Sequence, residues 1–510
     1  MLNPDEPKRQ TKPDSTTTAD IKSETMSLNK IAESGFAPRH YHFSAICGTG
    51  MASLAVLLKN RGHKVTGSDE NTYPPMSDFL KENQIDVSTP YRAENLQPHP
   101  DFVVLGNALS RGNPEVEYAL QAHLHYLSMA ELLKNDFIRG NCSIVVSGTH
   151  GKTTTTSLAA HVLTVAGKKT GFMIGGIPEN FGTSSRDVES GGYFVVEGDE
   201  YDTSLFDKRS KFFHYLPDRL IINNIEFDHA DIFKDIEAIK RSFSLMLRQI
   251  PRDGLIIVNG DDPHAMAVAK TGFTPYISFG TGSTCDAIIR NLTRLDERPG
   301  QQFELVFDQQ TYSLQLPLLG EHNVRNAAAV VLLALHEGID ILLIQQALLS
   351  FKNVLRRLQL LTKNNRVRVF DDFAHHPTAI AETLKALRKT WPDAGIHAVY
   401  EARSNTSVRN FHQSRMAASF KDADSVIFYK LFREERLEKN ERLDLKKIVT
   451  ELNDMRKSAS VIGELDLIVD TCLNRATPGD IFLVMSNGSF GGIQHKLAGK
   501  LDDQWQDRNL

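Results

Sequence analysis

The stretch SIVVSGTHGKTTTTSLAAHVL, residues 143–163, sets an apolar run, a glycine-bracketed turn and a helical pattern in direct succession. Backbone N–H groups of such a turn and the positive end of the helix behind it converge on one point. Lys152 adds a cation there and the Thr153 hydroxyl suits a magnesium ion, so the spacing predicts a cradle for a nucleoside triphosphate. The common pattern G-x-x-x-x-G-K-[ST] has a glycine where this chain has Val146, and its first glycine is Gly148. A lone GKT can mark a helix start and nothing more. Here the strand, turn and helix signals all fall where phosphate binding needs them.

Two further constellations carry chemistry. Gly48, Thr49 and Gly50 follow a strand-like run, Ser53 stands at the third fingerprint position, and Asp69 ends the next strand run. Glycines let a backbone approach a pyrophosphate, and an acid about 20 positions on accepts from a ribose hydroxyl. NAD, FAD, a nucleotide-sugar diphosphate or a ligand-free turn all satisfy that pattern. Farther on, Glu197 and His229 each end an apolar strand run, the edge at which doubly wound sheets bind ligands. They are candidates to share a metal, although magnesium prefers oxygen donors and an imidazole ligand is unusual for it. Asp199, Glu200, Asp202, Asp228 and Asp231 make the same region acidic.

The last third of the chain holds polar clusters at strand ends or helix starts: EHNVRN at 321–326, DDFAHHP at 371–377 and SNG at 486–488. Adjacent histidines point different ways on any regular element, so His375 and His376 are not expected to pair on a metal; one is expected buried and one functional. Arg356 and Arg357 read as a phosphate contact or an exposed basic pair.

The elements that position these residues alternate. Strand and helix patterns succeed one another from residue 42 to about 140, again from the phosphate loop onward, and a third time beyond a long helical run at 323–336. Such alternation predicts parallel sheets flanked by helices, with QQFELVF and TYSLQL as antiparallel strands closing the second unit. The fold class is therefore α/β in three consecutive domains: Rossmann-like at 39–141, P-loop ATPase-like at 142–318, Rossmann-like at 319–510, after a polar, disordered tail at 1–38.

Composition narrows the partners. The chain is 510 residues long, 41% hydrophobic and 24% charged, with a net charge of -5 and no apolar run of about 18 residues. Neither a nucleic acid nor a membrane is expected as a partner. Four scattered cysteines and the lack of a signal-peptide core suit a reducing cytoplasm. Nothing in the composition fixes an oligomeric state.

Taken in order, GTGM (48–51), GTHGKTTT (148–155), the Asp228-His229 pair, HNVRNA (322–327), RRL (356–358) and DDFAHHPTA (371–379) resemble the Mur ligases, three-domain enzymes of bacterial cell-wall precursor synthesis. The similarity runs from about residue 40 to the C-terminus. NTYPPMS, GNALSRGNPEVE, EGDEYDTSLFDKRSKFFHY, IEFDHADIF, EARSNT and MSNGSFGG resemble the branch that joins UDP-N-acetylmuramate to the recycled tripeptide L-alanyl-γ-D-glutamyl-meso-diaminopimelate. The resemblance implies an amide ligase that consumes ATP with magnesium through an acyl phosphate, in peptidoglycan recycling. It places Gly148, Thr149, His150, Gly151, Lys152, Thr153 and Thr154 on the ATP phosphates, Asn326 on adenine, and Arg357 and Asp372 across the cleft. Thr153, Glu197 and His229 surround the metal, and Lys152, Glu197, His229 and Arg357 carry catalysis. Gly48, Thr49, Gly50, Met51, Ser68 and Asp69 bind the UDP part, and His376, Arg403, Asn405 and Asn487 stand near the acceptor peptide.

Departures are specific. The family's GVKRRLE reads NVLRRLQ at 353–359, Ala52 replaces a glycine, and no lysine stands in register for the carbamylated lysine of some relatives, Lys240 being offset. The alternatives are the ligase that adds free L-alanine to the same sugar nucleotide, an NAD-dependent oxidoreductase built on the first glycines, and a nucleotide-switched binding module.

Overall fold

The structure is a computed structural model that describes residues 37–72, 76–295 and 298–506. The tail expected at 1–38 lies outside the described residues except for its last two positions, and so does the middle of NTYPPMS.

Three sheets follow one another along the chain. The first has five parallel strands in the spatial order third, second, first, fourth, fifth. Its central strand, His40–Ser44, pairs with Lys64–Ser68 on one side and Phe102–Leu105 on the other. The turn after it therefore opens where the strand order reverses, the position at which open α/β sheets leave a crevice. The central sheet has ten strands, and Cys142–Ser147 lies between Tyr193–Gly198 and Arg219–Ile222, all parallel. The phosphate turn leaves this sheet at a second point of reversal. Gln301–Phe307 and Gln310–Leu316 form the antiparallel hairpin the alternating pattern predicts. The third sheet has six strands, five of them parallel, with Gln359–Leu360 antiparallel at one edge.

The sequence explains the layering. Leu255–Asn259 and Ile481–Met485 are buried at every residue, as near-continuous apolar strands must be when helices cover both faces of a parallel sheet. The helix Lys152–Val165 is buried from Thr153 through Leu163, threonines included. Its outer face is covered by Glu321–His336 and Ile341–Ser350, which join it in one apolar cluster. Each fully buried leucine or valine there contributes about 1.5–3 kcal/mol. These two helices thus pack on the central sheet, although the alternation along the chain places the start of the third unit near residue 319. The third sheet begins only at Gln359. Among the described residues, no helix is long and apolar enough to cross a membrane.

Candidate active site

The phosphate turn holds a shape that only glycine permits. Gly148 and Gly151 have φ of 135° and 81°, and an added Cβ would meet the Asn224 carbonyl at 2.9 Å in the first case and the Asn326 carboxamide at 2.7 Å in the second. The turn is tied down from the next strand's end. The His150 N–H donates to Asn224 Oδ1 (2.8 Å), and the Thr149 hydroxyl accepts from the Glu226 N–H (2.8 Å). The N-terminus of Lys152–Val165 has no side-chain cap, so its first N–H groups remain for an anion.

Around this turn the central sheet delivers its acids. Lys152 Nζ donates to the Gly148 carbonyl and to Glu200 Oε2, both at 2.8 Å, and lies 4.0 Å from Asp199 Oδ1. Burial works against its charge, but Glu200 and Asp199 outweigh it and hold the ammonium above its usual range. Thr153 donates its hydroxyl to Glu197 Oε2 (3.2 Å) and accepts from Arg357 Nη2 (3.1 Å). Glu197 also accepts from the Gly175 N–H (2.6 Å), yet burial pushes its carboxyl up. His229, itself at φ 54°, sets Nε2 3.9 Å from Glu200 and its ring 4.2 Å from Tyr201. Glu200, buried, accepts from Lys152 and lies beside His229, which makes it the central carboxyl group here. The sequence shows it only as one acid among neighbours.

A cavity of about 620 Å³ runs from this turn between the central and third bodies, each body being one of the three sheets with its helices. Every residue expected on the ATP phosphates except Gly148 lines it, with Glu197, His229, Asn326, Arg357, Asp372, His376 and Asn487. It also takes in His322 and Arg325 of the EHNVRN cluster, and Asp261 and Phe279, which no pattern in the sequence singles out. Burial lowers the His322 imidazole to about 4.

The third body supplies Arg357 by a local device. Asp372, at the end of Arg368–Asp372, accepts the N–H groups of Leu358 (2.7 Å) and Ala374 (2.8 Å), fixing the loop that carries Arg357 over the Phe373 ring at 4.7 Å. Its neighbour Arg356 donates to the carbonyls of Ser486 and Gly488, so the arginine pair divides, one side chain reaching the cleft and the other the loop at 486–488. His376 caps Pro377–Thr390 and is 2% exposed, with its ring 4.5 Å from those of both His150 and His412. Donor atoms of His150, Glu226 and His376 all lie within 4.8 Å of one another. Arg403 and Asn405 line neither large cavity. Arg403 stacks on Phe432 at 4.3 Å, and Asn405 reaches Asp231 at 3.2 Å.

A second cavity, about 840 Å³, lies between the first and central bodies. Gly48, Thr49, Gly50, Met51 and Asp69 line it. Asp69 is held by the N–H groups of Cys47 and Asn71, both at 2.9 Å. Ser68 differs from its expected place. It is fully buried, donates its hydroxyl to Glu115 at 2.6 Å and is absent from the lining. The two cavities share Gly175, Glu197 and Asp199, so one junction connects them.

Family models described as "Mur ligase family, catalytic domain", "Mur ligase middle domain" and "Mur ligase, glutamate ligase domain" match residues 40–136, 146–334 and 356–488. The UDP-N-acetylmuramate--L-alanyl-gamma-D-glutamyl-meso-2,6-diaminoheptandioate ligase of Haemophilus influenzae is 42% identical over 91% of this chain and 99% of its own. A UDP-N-acetylmuramate--L-alanine ligase of Desulforapulum autotrophicum is 33% identical over 71% of this chain and 77% of its own. The crystal structure of a murein peptide ligase from Psychrobacter arcticus superposes with a TM-score of 0.67 at 36% identity, covering 91% of this chain and 99% of that one. The oxidoreductase alternative falls with these matches, and the chain belongs to the Mur ligase family.

Proposed function

We propose that this chain is a cytoplasmic ATP-dependent ligase that joins the carboxylate of UDP-N-acetylmuramate to the amine of L-alanyl-γ-D-glutamyl-meso-diaminopimelate, in peptidoglycan recycling. One observation carries the chemistry: the cavity lined by the first body's glycine turn and the cavity lined by the phosphate turn meet at Gly175, Glu197 and Asp199. A sugar-borne acid in one and a γ-phosphate in the other come together there. The choice of tripeptide rests on the greater identity to the tripeptide-adding relative, 42% against 33%.

In this reading the first body holds the UDP-sugar, the central body the ATP, and the third body closes on both. A muramate carboxylate oxygen attacks the γ-phosphorus, the bond to the β,γ-bridging oxygen breaks, and ADP leaves. The peptide amine then attacks the acyl carbon of the mixed anhydride. The carbon–oxygen bond breaks, inorganic phosphate leaves, and the amine loses a proton. Lys152 and the turn's N–H groups hold the phosphates while charge moves onto the bridging oxygen. Arg357 arrives from the third body at the same hydroxyl, Thr153, so closure both completes the cradle and keeps water from the acyl phosphate. Asp372 positions Arg357, Asn326 stands beside the turn toward the base, and His376 and Asn487 face the acceptor side.

The Thr153 hydroxyl and the Glu197 carboxylate, 3.2 Å apart, are oxygen donors of the kind a hard divalent cation takes, with His229 in the same cavity. A magnesium ion held by these residues would supply positive charge that offsets the phosphates. The test is phosphate release with UDP-N-acetylmuramate and ATP against a panel of amines. Tripeptide-dependent release is expected. Release with alanine and not with tripeptide would reassign the chain to the alanine-adding reaction, and amine-independent release would remove the ligase reading.

A further inference from the structure

The segment EGDEYDTSLFDKRSKFFHY carries one largely buried lysine that the reaction above leaves without a task. From Asp199 the chain loops out and returns, held by the Thr203 N–H on the Arg209 carbonyl and the Lys211 N–H on the Tyr201 carbonyl, both at 2.9 Å. Two basic residues of the loop are spent locally on its surface, Lys208 on Asp202 and Arg209 on Asp207. Lys211 is different. It opens the short helix Lys211–His214, is mostly buried, and lines the sugar-side cavity.

Its position is defined by Asp199. Lys211 Nζ lies 3.8 Å from Asp199 Oδ2, beyond hydrogen-bond length, while Lys152 Nζ lies 4.0 Å from Asp199 Oδ1. One carboxylate at the junction thus stands between two lysines, Lys152 lining the nucleotide cavity and Lys211 the sugar cavity. Among the described lining residues of the sugar cavity the other cation is Arg111, which is mostly exposed and puts two guanidinium nitrogens on Glu117 at 2.9 and 3.0 Å. An acid entering the junction meets Glu197, held by the Thr153 hydroxyl and the Gly175 N–H, and Asp199, within 4.0 Å of both lysines, and needs a positive charge on its own side.

We propose that Lys211 contacts the muramate carboxylate at the inner end of the sugar cavity and, with Lys152 on the opposite side, neutralises the acyl phosphate as it forms. This rests on the ligase reading above, and the experiment separates the two. Positional isotope exchange in ATP labelled at the β,γ-bridge, with UDP-N-acetylmuramate and no amine, reads acyl phosphate formation alone. The wild-type protein is expected to exchange. Lys211→Met should slow exchange roughly 100-fold and raise the KM for UDP-N-acetylmuramate, with UDP affinity and the KM for ATP held within about twofold. Lys211→Arg should recover most of the exchange. Lys211→Gln, which keeps the stem and a donor without the charge, reads the same quantity if the methionine variant is unstable. Exchange within about twofold of wild type in the folded Met or Gln variant overturns the proposal. Equal loss of UDP affinity overturns it too, since a merely structural pairing with Asp199 would disturb the whole cavity. No exchange in the wild-type protein would instead contradict the ligase reading itself.

Discussion

Two glycine turns in this chain open a helix at the reversal point of a parallel sheet, and each faces a cavity, yet they are built for different work. The turn at Gly48 leads into Thr49–Asn60 with no basic side chain in its first turn, and its acid, Asp69, comes from the neighbouring strand. The turn at Gly148–Gly151 places Lys152 and Thr153 in the first helical turn, surrounded by Glu197, Asp199 and Glu200. Backbone geometry alone gives an anion site in both. In the proposed reaction these side chains fit the second turn to moving a phosphoryl group and leave the first to hold a pyrophosphate.

Breaking the second turn should give the largest effect. Lys152→Met is expected to lower ligation by at least about 1000-fold while changing UDP-N-acetylmuramate affinity less than about threefold, read by phosphate release and calorimetry. The same change strands the buried Glu200, so stability should fall as well. Lys152→Met combined with Glu200→Gln should restore the melting temperature without restoring turnover. Recovery of turnover would show that Lys152 serves the fold and not the phosphates.

The next effect tests how the third body completes that turn. Arg357→Ala should reduce kcat about 100-fold and abolish the compaction expected in solution scattering of the unaltered protein with an ATP analogue and UDP-N-acetylmuramate. Unchanged compaction would mean closure does not depend on the contact with Thr153.

Breaking the first turn's partner should be milder. Asp69→Asn is expected to raise the KM for UDP-N-acetylmuramate about tenfold and leave the KM for ATP unaltered, the inverse of the Lys152 result. A change in the ATP parameter alone would remove the division of labour.

Much of this contrast is legible in the sequence because it is local. GTHGKTTT and GTG are turn-then-helix signals whose spacing follows from backbone geometry, and the alternation of strand and helix gives the three sheets in order. What the sequence conceals depends on chain segments meeting at a distance. Glu200 looks like any acid in an acidic stretch until the fold sets it between Lys152 and His229. Ser68 and Asp69 are adjacent, but Ser68 ends the strand with its side chain on Glu115, while Asp69, just past it, is held by the Cys47 and Asn71 N–H groups at the cavity. Arg356 and Arg357 likewise part company by one residue. The two helices after residue 320 pack on the central sheet because their apolar faces fit the threonine-bearing helix behind the phosphate turn, a partner no periodicity names.

The smallest effect concerns the histidine stack between central and third bodies. Burial lowers the His412 imidazole to about 4, below the ordinary value of 6.5. The unfolded chain therefore binds a proton between those values that the folded chain does not, and stability falls as pH drops from 6.5 toward 4. His412→Gln should flatten that slope by up to about 1 kcal/mol per pH unit in melting curves and leave stability above pH 7 little changed. An unchanged slope would mean the imidazole is charged in the folded protein.

The junction at Gly175, Glu197 and Asp199 is tested most directly by following one oxygen. UDP-N-acetylmuramate labelled with heavy oxygen in its carboxylate is ligated to the tripeptide, and the inorganic phosphate is analysed by mass. Transfer of one labelled oxygen to phosphate for each amide formed is the predicted result. Unlabelled phosphate would contradict a meeting of the two substrates' reacting groups at that junction.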